Sequence, residues 1–422
     1  MHFVIIGNGV AGATAAFSMR EREPEADLTL IGAESDYFFS RTALMYGFMD
    51  RLSVRDMEPF DRKVYDRKKI RRVRDVVVDL DADERTIELK SGKTVPYDRL
   101  LIATGSVPAS VPWKGLDQVG SGLVNFVSAQ DLEQCERYAA STRNAVVVGG
   151  GLIGIELVEC LRHHGKPVTF LIREPWYWPV ALGGDEGEMI TAHMRRHGVD
   201  VRLEESVGEV RTDAGGRVSA VLTESGLELP CDLLGVAIGV RPAIDWLRSA
   251  KTPPQLGRGV QVNESFQTSL DRVWAAGDCA EIQLLGRPPL VEQIWYSARR
   301  QGEMAAHAML GDAVQYAPPI FYNSAKFFGI EYTTVGSVMN APPEASSHFH
   351  RTPGQDISVR IVELHGAVIG FNMLGSRWDH TVLERWIAER RPTTYVQERL
   401  AQAQFDVEFG RAPVGAARPT KW

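Results

Sequence analysis

Two glycine-rich segments carry the clearest chemical information in this sequence. Gly7–Gly12 follows the apolar run Phe3–Ile6, and Gly149–Gly154 follows Val146–Val148. In each segment the first glycine permits a tight turn, the second lets a diphosphate approach the backbone, and the third lets a helix pack closely on a strand. A diphosphate then lies at a helix N-terminus, where free N–H groups and the helix dipole favour negative charge. Two such segments predict two bound dinucleotides, and electron transfer between a nicotinamide and a flavin is the economical chemical reason for the pair.

Strands and helices alternate around the first glycine segment in the order that such a site needs. The pattern predicts a strand at Phe3–Ile6, a helix from Ala11 to about Arg22 and a strand at Leu28–Ile31. An acidic residue after the second strand commonly binds a ribose, and Glu34 takes that place. An ordinary loop carboxylate is the alternative interpretation of Glu34.

The second glycine segment opens the same pattern. A helix is predicted from Ile153 to His164 and a strand at Val168–Ile172. A later strand, Cys231–Ile238, completes this inserted domain, and Val273–Asp278 returns the chain to the first domain. From about residue 317, strand-like stretches and a charged helix indicate a third domain. We therefore expect an α/β protein with two Rossmann-like dinucleotide-binding domains and a C-terminal α+β domain.

Composition agrees with a compact enzyme and limits its partners. The chain has 422 residues, of which 44% are hydrophobic and 24% charged, and its net charge of −7 argues against nucleic acid as the main partner. No apolar run reaches the roughly 20 residues that span a bilayer, so no integral membrane segment is expected. Since the first strand begins at Phe3, we expect no targeting peptide and a cytoplasmic protein. The four cysteines include no close pair and are expected to be buried, and no metal site is expected.

The order of these motifs resembles that of one flavoprotein family. Between and after the two glycine segments come the strand ends Ala103–Gly105, Gly239–Pro242 and Ala275–Asp278. The same order is found in the two-dinucleotide-binding flavoproteins, which include NAD(P)H:disulfide reductases, ferredoxin and rubredoxin reductases, NADH oxidases and the apoptosis-inducing-factor type. The resemblance implies a homodimer made by the C-terminal domain. The implied domains are an FAD-binding domain at residues 1–115 and 252–315, an NAD(P)H-binding domain at 116–251 and an interface domain at 316–422.

By this resemblance the first glycine segment binds FAD. Asp278 would accept hydrogen bonds from the ribityl hydroxyls, and a helix N-cap is its alternative role. Thr104 and Gly105 would lie beside the diphosphate and the backbone of Val77 beside the adenine. Trp295 would either line the flavin ring or pack in the core. The implied FAD positions are Gly7, Gly9, Val10, Ala11, Gly12, Glu34, Arg41, Thr42, Val77, Ala103, Thr104, Gly105, Gly277, Asp278 and Trp295.

The second glycine segment would bind NAD(P)H, with Glu156 near the nicotinamide amide, which it could orient for hydride transfer. Coenzyme choice depends on the residues after Val168–Ile172. Arg173 suits the 2′-phosphate of NADPH, whereas the adjacent Glu174 could accept a ribose hydroxyl of NADH, and the arginine favours NADPH slightly. The aromatic run Trp176–Trp178 either stacks on adenine or packs on itself. The implied NAD(P)H positions are Gly149, Gly151, Leu152, Ile153, Gly154, Glu156, Arg173 and Gly239.

The segment Phe38–Tyr46 restricts the route by which electrons can reach an acceptor. Disulfide reductases of this family carry two cysteines beside the flavin, whereas Thr42 stands where single-cysteine members have their thiol. A hydroxyl cannot form a sulfenate or a mixed disulfide, so no thiol relay is expected. The segment also resembles that of ferredoxin reductases, with Arg41 as the arginine that would contact the FAD phosphates and Tyr46 in place of their lysine. The candidate catalytic residues are Glu156, Thr42 and Tyr46.

Three functions stay open at this point. The first is an NAD(P)H-dependent reductase that passes electrons to a redox protein. The second is an NAD(P)H oxidase or a reductase of quinones or other small molecules, and the third is an FAD- and NAD(H)-binding signalling flavoprotein. The basic run Arg67–Arg72 could meet an acidic redox partner, although a solvated surface is the simpler interpretation. In the C-terminal domain, Lys326–Phe328 could approach the flavin or fill the core.

Overall fold

The computed structural model describes residues 1–405, which form two compact units. The first unit contains residues 1–111, 125–137 and 239–317, and the second contains residues 112–124, 138–238 and those from 318 onwards. Each unit is built around a five-stranded parallel sheet. The α/β class expected from the sequence is confirmed.

The elements below are numbered along the described chain. The strands are β1 (His2–Ile6), β2 (Asp27–Gly32), β3 (Arg71–Arg74), β4 (Val77–Asp81), β5 (Thr86–Leu89), β6 (Thr94–Pro96), β7 (Arg99–Ile102), β8 (Ser106–Pro108), β9 (Leu123–Val124), β10 (Ala145–Val148), β11 (Val168–Ile172), β12 (Val199–Leu203), β13 (Val207–Thr212), β14 (Val218–Thr223), β15 (Glu228–Pro230), β16 (Leu233–Val236), β17 (Val240–Pro242), β18 (Val260–Val262), β19 (Val273–Ala275), β20 (Ala280–Ile282), β21 (Tyr322–Phe327), β22 (Ile330–Gly336), β23 (Ser346–Arg351), β24 (Ser358–Leu364) and β25 (Ala367–Leu374). The α-helices are α1 (Val10–Arg22), α2 (Leu44–Phe48), α3 (Arg62–Arg67), α4 (Ala129–Ala139), α5 (Leu152–His163), α6 (Gly184–Arg196), α7 (Trp295–Leu310), α8 (His380–Ala388) and α9 (Thr393–Arg399). None of these helices within residues 1–405 has the length and apolar character needed to cross a bilayer.

The parallel sheet of the first unit has the strand order β19-β7-β1-β2-β3. Ile5 of β1 lies opposite Leu30 of β2 and Leu101 of β7, and all three side chains are buried. Because both faces of these central strands are covered, their sequences are continuously apolar and do not alternate. The outer strand β3 is rich in arginine, which discourages pairing with another chain along this edge.

Helices α1 and α7 of the first unit pack through small residues. A Cβ at Gly302 would lie 2.2 Å from the carbonyl oxygen of Ala11, so the two backbones approach as closely as glycine allows. Helix α7 ends at Leu310 and is followed by Gly311, whose φ of +100° is the left-handed conformation that commonly closes a helix. This contact holds α7 beside the helix that follows the first glycine segment.

The parallel sheet of the second unit has the order β12-β11-β10-β16-β9. Val147 of β10 lies opposite Phe170 of β11 and Gly235 of β16. The smaller antiparallel sheet β13-β14-β15 packs on it through an apolar cluster that includes Val221 and Leu234. The second glycine segment therefore follows a central strand of a fully covered sheet, as the first one does.

The C-terminal part of the second unit is an antiparallel sheet of order β21-β22-β25-β24-β23, covered by α8 and α9. Val359 and Phe371 of the sheet and Leu383 and Trp386 of α8 are buried in one apolar cluster. The α+β character expected after about residue 317 is confirmed for residues 318–405. Residues 406–422, the remainder of the expected interface domain, lie outside the described part of the chain.

The unit boundaries differ from the sequence-based domain boundaries at four short segments. Residues 125–137 and 239–251, expected in the NAD(P)H-binding domain, and residues 316–317, expected in the interface domain, lie in the first unit, and residues 112–115 lie in the second. Glu34 accepts the N–H of Ala129, and β17 pairs with β8, so long-range hydrogen bonds hold two of these segments in the first unit. The C-terminal sheet shares its unit with the second glycine segment.

Candidate functional site

The first glycine segment combines two sterically required glycines with one that faces open space. Gly7 has a φ of +111°, and a Cβ there would lie 2.0 Å from the carbonyl oxygen of Ala103. A Cβ at Gly12 would lie 1.9 Å from the carbonyl oxygen of Gly7. Gly9 differs, because its φ of −82° suits any residue and a Cβ there would meet no atom within 4 Å. The free space beside Gly9 is what an approaching diphosphate requires.

The second glycine segment repeats this geometry. Gly149 has a φ of +119°, and a Cβ there would lie 2.2 Å from the carbonyl oxygen of Ala237. A Cβ at Gly154 would lie 2.0 Å from the carbonyl oxygen of Gly149. Gly151 has a φ of −110° and again no atom within 4 Å of its Cβ position. Since neither conformation nor packing requires glycine at Gly151, the open space fits a second dinucleotide.

Both glycine segments lead into helices whose N-termini carry no side-chain cap. Within residues 1–405, no side chain forms a capping hydrogen bond at Gly9 of α1 or at Gly151 of α5. First-turn N–H groups have no partner inside a helix, so they are donors for an anion. The first-turn residues that provide these donors are Val10, Ala11, Leu152 and Ile153.

Ala103, Thr104 and Gly105 follow β7 directly beside Gly7. Ala103 donates its N–H to a β1 carbonyl at 2.7 Å, which ties the end of β7 to the strand before the first glycine segment. The hydroxyl of Thr104 donates to the carbonyl of Ala243 at 2.9 Å. A Cβ at Gly105 would meet no atom within 4 Å, so the backbone there is also open. The structure therefore brings this strand end beside the first glycine segment, where the resemblance predicts the FAD diphosphate.

Glu34 and Arg41, both assigned to FAD by the resemblance, are brought together. The Glu34 carboxylate pairs with the Arg41 guanidinium at 2.5 Å and accepts the N–H of Ala129 at 2.6 Å. Arg41 also donates to the carbonyl of Val127 at 2.7 Å. These contacts enclose the end of β2, where an adenosine ribose is expected. Val77, expected beside the adenine, is buried at the start of β4.

Asp278 follows β19 and ends a chain of polar side chains. Its carboxylate accepts a hydrogen bond from Ser106 Oγ at 2.9 Å, and Ser106 accepts one from Gln293 Nε2 at 2.8 Å. Burial raises the pKa of Asp278 above its ordinary value, while the Ser106 hydroxyl and the charge of Arg41 oppose that rise. The alternative role of Asp278 as a helix N-cap is wrong, because the chain continues into strand β20 and the next helix begins only at Trp295.

A buried network at the start of α7 has no counterpart among the sequence predictions. Gln301 is 1% exposed; its Oε1 accepts the N–H of Gly277 at 2.9 Å, and its Nε2 donates to Glu292 at 2.9 Å. Glu292 also accepts the hydroxyls of Tyr316 at 2.6 Å and Ser297 at 3.0 Å. The network holds the end of β19 against α7. The available sequence clue was Gln301 itself, a polar residue within the small-residue face of a helix.

Trp295, the first residue of α7, carries a buried donor. Its indole Nε1 has no hydrogen-bond partner within residues 1–405, and its ring lies edge-on to Tyr296 with 5.4 Å between the centroids. Buried donors in a protein core are normally satisfied. The unpaired donor therefore favours a ligand contact for Trp295 over core packing alone.

Glu156 lies in the first half of α5, near Glu159 of the same helix and Tyr177 of the loop after β11. Burial raises the pKa of Glu156 to about 8, with a contribution from the negative charge of Glu159. The hydroxyl of Tyr177 donates to the carbonyl of Gly151 at 3.4 Å. At neutral pH the Glu156 carboxyl is mainly protonated, so it can both donate and accept a hydrogen bond, as an amide ligand requires.

The residues after β11 keep both coenzyme alternatives available. The Arg173 side chain is 79% exposed, and its Nε pairs with Glu174 at 2.8 Å. The aromatic run that follows packs on its own unit, because Tyr177 is fully buried and the indole of Trp176 donates to the carbonyl of Leu182 at 3.0 Å. The self-packing interpretation of this run is confirmed.

Two other predicted segments have clear protein contacts. Gly239 lies in the first unit, where its carbonyl accepts the N–H of Ala109 at 3.0 Å. Phe327 is fully buried and packs edge-on against Tyr177, with 6.2 Å between the ring centroids. The core-packing interpretation is confirmed for Phe327 but not for Phe328, which is only partly buried. Lys326 pairs with Glu331 at 3.1 Å.

Known proteins share this arrangement of motifs. Residues 1–308 match the family model described as pyridine nucleotide-disulphide oxidoreductase. The chain belongs to this family. The ferredoxin–NAD(+) reductase component of the biphenyl dioxygenase system from Paraburkholderia xenovorans (strain LB400) is 30% identical to this oxidoreductase over 392 residues, which are 92% of this chain and 93% of that protein.

Two further matches show how widely the arrangement is used. NAD(P)H nitrite reductase from Bacillus subtilis (strain 168) is 26% identical over 335 residues, and the match spans 79% of this oxidoreductase but only 40% of that protein. The crystal structure of a covalent putidaredoxin reductase–putidaredoxin complex contains a chain with the same fold. It has a TM-score of 0.83 at 22% identity and covers 95% of this chain and 98% of that one.

This member of the family binds FAD and NAD(P)H and is an FAD-dependent NAD(P)H oxidoreductase. Its Phe38–Tyr46 segment contains no cysteine. Thr42 lies in the short turn Arg41–Ala43 with its hydroxyl 2.9 Å from that of Ser40, and Tyr46 is partly buried in α2. All four cysteines are buried, as expected. Burial raises the pKa of Cys279, next to Asp278, so that thiol stays neutral and is a poor nucleophile.

Proposed function

We propose that this oxidoreductase takes reducing equivalents from NAD(P)H and passes electrons to a small redox protein without a thiol relay. The observation that carries the proposal is the pair of open glycine positions, Gly9 and Gly151, which fit two dinucleotides in one chain. FAD, when bound, supplies the ability to accept a hydride and to release electrons. The acceptor class is supported by the Paraburkholderia relative, which is a ferredoxin–NAD(+) reductase and matches 92% of this chain.

We infer that the first unit holds FAD and that the second holds NAD(P)H. The free N–H groups after Gly9 and Gly151 would hold the two diphosphates. Asp278, fixed by Ser106, presents a carboxylate to the ribityl hydroxyls. The protonated carboxyl of Glu156 would orient the nicotinamide amide, and alignment is the main requirement for hydride transfer.

We infer a preference for NADPH from Arg173. Its guanidinium is exposed at the end of β11, where the coenzyme ribose is expected, and a guanidinium binds a phosphate with two parallel hydrogen bonds. Glu174 is the residue through which NADH would compete, since its carboxylate can accept both hydroxyls of an unphosphorylated ribose.

The homodimer and the cytoplasmic location stay predictions. The C-terminal sheet and its helices, within residues 318–405, belong to the segment 316–422 for which the resemblance implies a dimer interface. Sedimentation equilibrium of the FAD-loaded protein measures the oligomeric state directly, and a monomer over the whole concentration range would contradict the prediction.

Stopped-flow mixing of the FAD-loaded protein with NADPH, and separately with NADH, tests the proposed function. We expect rapid loss of the flavin absorbance at roughly 450 nm with at least one coenzyme. Fast reoxidation by added ferredoxin or rubredoxin and slow reoxidation by dioxygen would support the redox-protein acceptor. Fast reoxidation by dioxygen or a quinone, with no response to either redox protein, would instead support an oxidase or quinone reductase. Slow reduction with a persistent charge-transfer band would support a signalling flavoprotein.

A further inference from the structure

The C-terminal hairpin tip, Phe327–Gly329, adopts a conformation that its sequence does not favour. These residues join β21 to β22, and Phe328 and Gly329 both have positive φ values, +47° and +80°. Glycine adopts this conformation freely, but a bulky residue such as phenylalanine rarely does. Such a turn persists where surrounding contacts hold it in place.

Helices α5 and α6, which belong to the second unit, supply those contacts. The Phe328 N–H donates to Glu159 Oε2 of α5 at 2.6 Å, and the Phe328 carbonyl lies 2.9 Å from His193 Nε2 of α6. The other ring nitrogen of His193, Nδ1, lies 2.6 Å from Asp356 Oδ2, just before β24. Both polar groups of the Phe328 backbone are therefore bonded to the part of the second unit that carries the second glycine segment.

A second line of contacts leads from the hairpin tip to the glycine segment itself. Phe327 and Tyr177 are both fully buried, and their rings meet edge-on. The Tyr177 hydroxyl donates to the carbonyl of Gly151. Gly151 is the glycine with open space beside it, so one side chain connects the hairpin tip to the backbone that a dinucleotide would approach.

We propose that Glu159 and Tyr177 are positioning residues of the coenzyme site, through which the hairpin tip holds α5, Gly151 and Glu156 in place. The inference rests on the proposed NAD(P)H site at the second glycine segment. Glu159 follows Glu156 by three residues on α5, so both side chains lie on the same side of the helix. The charged and titratable groups that face Glu156 are Glu159 on its own helix and Tyr177 from the loop after β11.

Three variants of the FAD-loaded enzyme separate anchoring from charge. Glu159→Ala removes the acceptor for the Phe328 N–H, and we expect the KM for NADPH to rise about tenfold, the scale of a lost hydrogen bond to a charged group, with kcat and FAD content little changed. Glu159→Gln keeps an acceptor oxygen, so its KM for NADPH should stay close to the wild-type value. Because the charge of Glu159 contributes to the raised pKa of Glu156, the Gln variant should also move the pH profile of KM to lower pH. Tyr177→Phe keeps the ring and should raise KM about two- to fivefold.

Glu188→Gln, at an exposed position of α6, is the matched control and should leave KM and its pH profile unchanged. KM values equal to wild type in all three variants would overturn the inference. If Glu159→Ala fails to fold, an unshifted pH profile in Glu159→Gln together with a wild-type KM in Tyr177→Phe would overturn it as well. A wild-type protein that neither coenzyme reduces would overturn the proposed function, and this inference with it. Normal reduction of the wild type with unaffected variants would overturn only the positioning roles.

Discussion

The two glycine segments share one backbone geometry and differ in what surrounds the strand end beside each. At the first, Glu34 is 19% exposed and is bonded to Arg41 and to the N–H of Ala129. At the second, Arg173 is 79% exposed and pairs only with its neighbour Glu174 among the contacts described within residues 1–405. An enclosed strand end suits a resident FAD, and an open one suits a coenzyme that binds and leaves. The backbone geometry therefore selects the ligand class, and the surrounding side chains select how firmly it is held.

The partly buried carboxyl groups near the two segments differ in a similar way. Burial raises the pKa of both Asp278 and Glu156. For Asp278, the Ser106 hydroxyl and Arg41 favour the charged form and oppose the rise. For Glu156, the neighbour is a second carboxylate, Glu159, which adds to the rise. The groups around Asp278 thus oppose its protonation, whereas the carboxylate beside Glu156 favours protonation of that residue.

Replacing the middle glycines, Gly9 and Gly151, should have the largest effect on dinucleotide binding. If neither substitution weakened binding, the comparison of the two segments would be wrong. Gly9→Leu and Gly151→Leu each place a side chain where no protein atom lies within 4 Å of Cβ, so the fold should survive while the diphosphate is blocked. We expect colourless protein from Gly9→Leu and yellow protein that neither coenzyme reduces from Gly151→Leu, each with at least about a hundredfold weaker binding, or roughly 2.7 kcal/mol. The FAD content and the reduction rate measure both. The reverse pattern would exchange the two assignments.

Removing the buried amide of Gln301 should lower stability and weaken FAD binding at the first glycine segment without changing coenzyme binding at the second. Gln301→Leu leaves the Gly277 N–H and the Glu292 carboxylate each without one partner, so we expect the free energy of unfolding to fall by about 2–4 kcal/mol. FAD should dissociate more readily, while the KM for coenzyme, measured with excess FAD, stays unchanged. Urea denaturation of Gln301→Leu beside Gln315→Leu, an exposed glutamine, provides the measurement and its control. An equal fall in the free energy of unfolding in both variants would contradict a stabilising role for the Gln301 network.

The acid at the second segment should make stability depend on pH. The pKa of Glu156 is about 8 in the folded protein and about 4.3 in an unfolded chain. At a pH between these two pKa values, the folded protein keeps the Glu156 proton that the unfolded chain has released. The stabilisation from protonated Glu156 is full below about pH 4.3 and is lost as the pH rises to about 8, by at most about 1.4 kcal/mol per pH unit.

Glu156→Gln removes this dependence. The variant should match the wild type near about pH 4.5 and be more stable at about pH 8.5. Thermal unfolding of both proteins across this range, with Glu188→Gln as the exposed control, tests the difference. Melting temperatures that change in parallel for Glu156→Gln and the wild type would contradict the raised pKa.

The smallest effect concerns coenzyme choice at the open strand end. Arg173→Ala should raise the KM for NADPH about tenfold, or roughly 1.4 kcal/mol, and that for NADH less than about twofold. Glu174→Ala should weaken NADH more than NADPH, which makes it the matched reverse test. Equal effects of Arg173→Ala on both coenzymes would remove the inferred preference.

Local signals predicted the elements that carry both segments. The strand predicted at Val168–Ile172 has those ends in the structure, and the helices predicted from Ala11 and Ile153 begin one residue earlier. These predictions succeed because a covered parallel strand is continuously apolar and because the required glycines mark the turn between strand and helix. The hydrogen bonds that hold the Phe328 backbone were not predicted, since the one to Glu159 joins residues 169 positions apart.

By itself, the sequence determined that two dinucleotide-binding βαβ units follow one another, because each unit is specified by neighbouring residues. Only the tertiary structure decided which polar side chains serve each unit. Gln301 reaches Gly277, Glu34 reaches Ala129 and Glu159 reaches Phe328 through contacts that no local period encodes. The physical reason is that buried polar groups must find partners wherever the packed chain brings a complementary donor or acceptor. Those pairings depend on the whole fold, whereas the glycine segments depend on their own backbone.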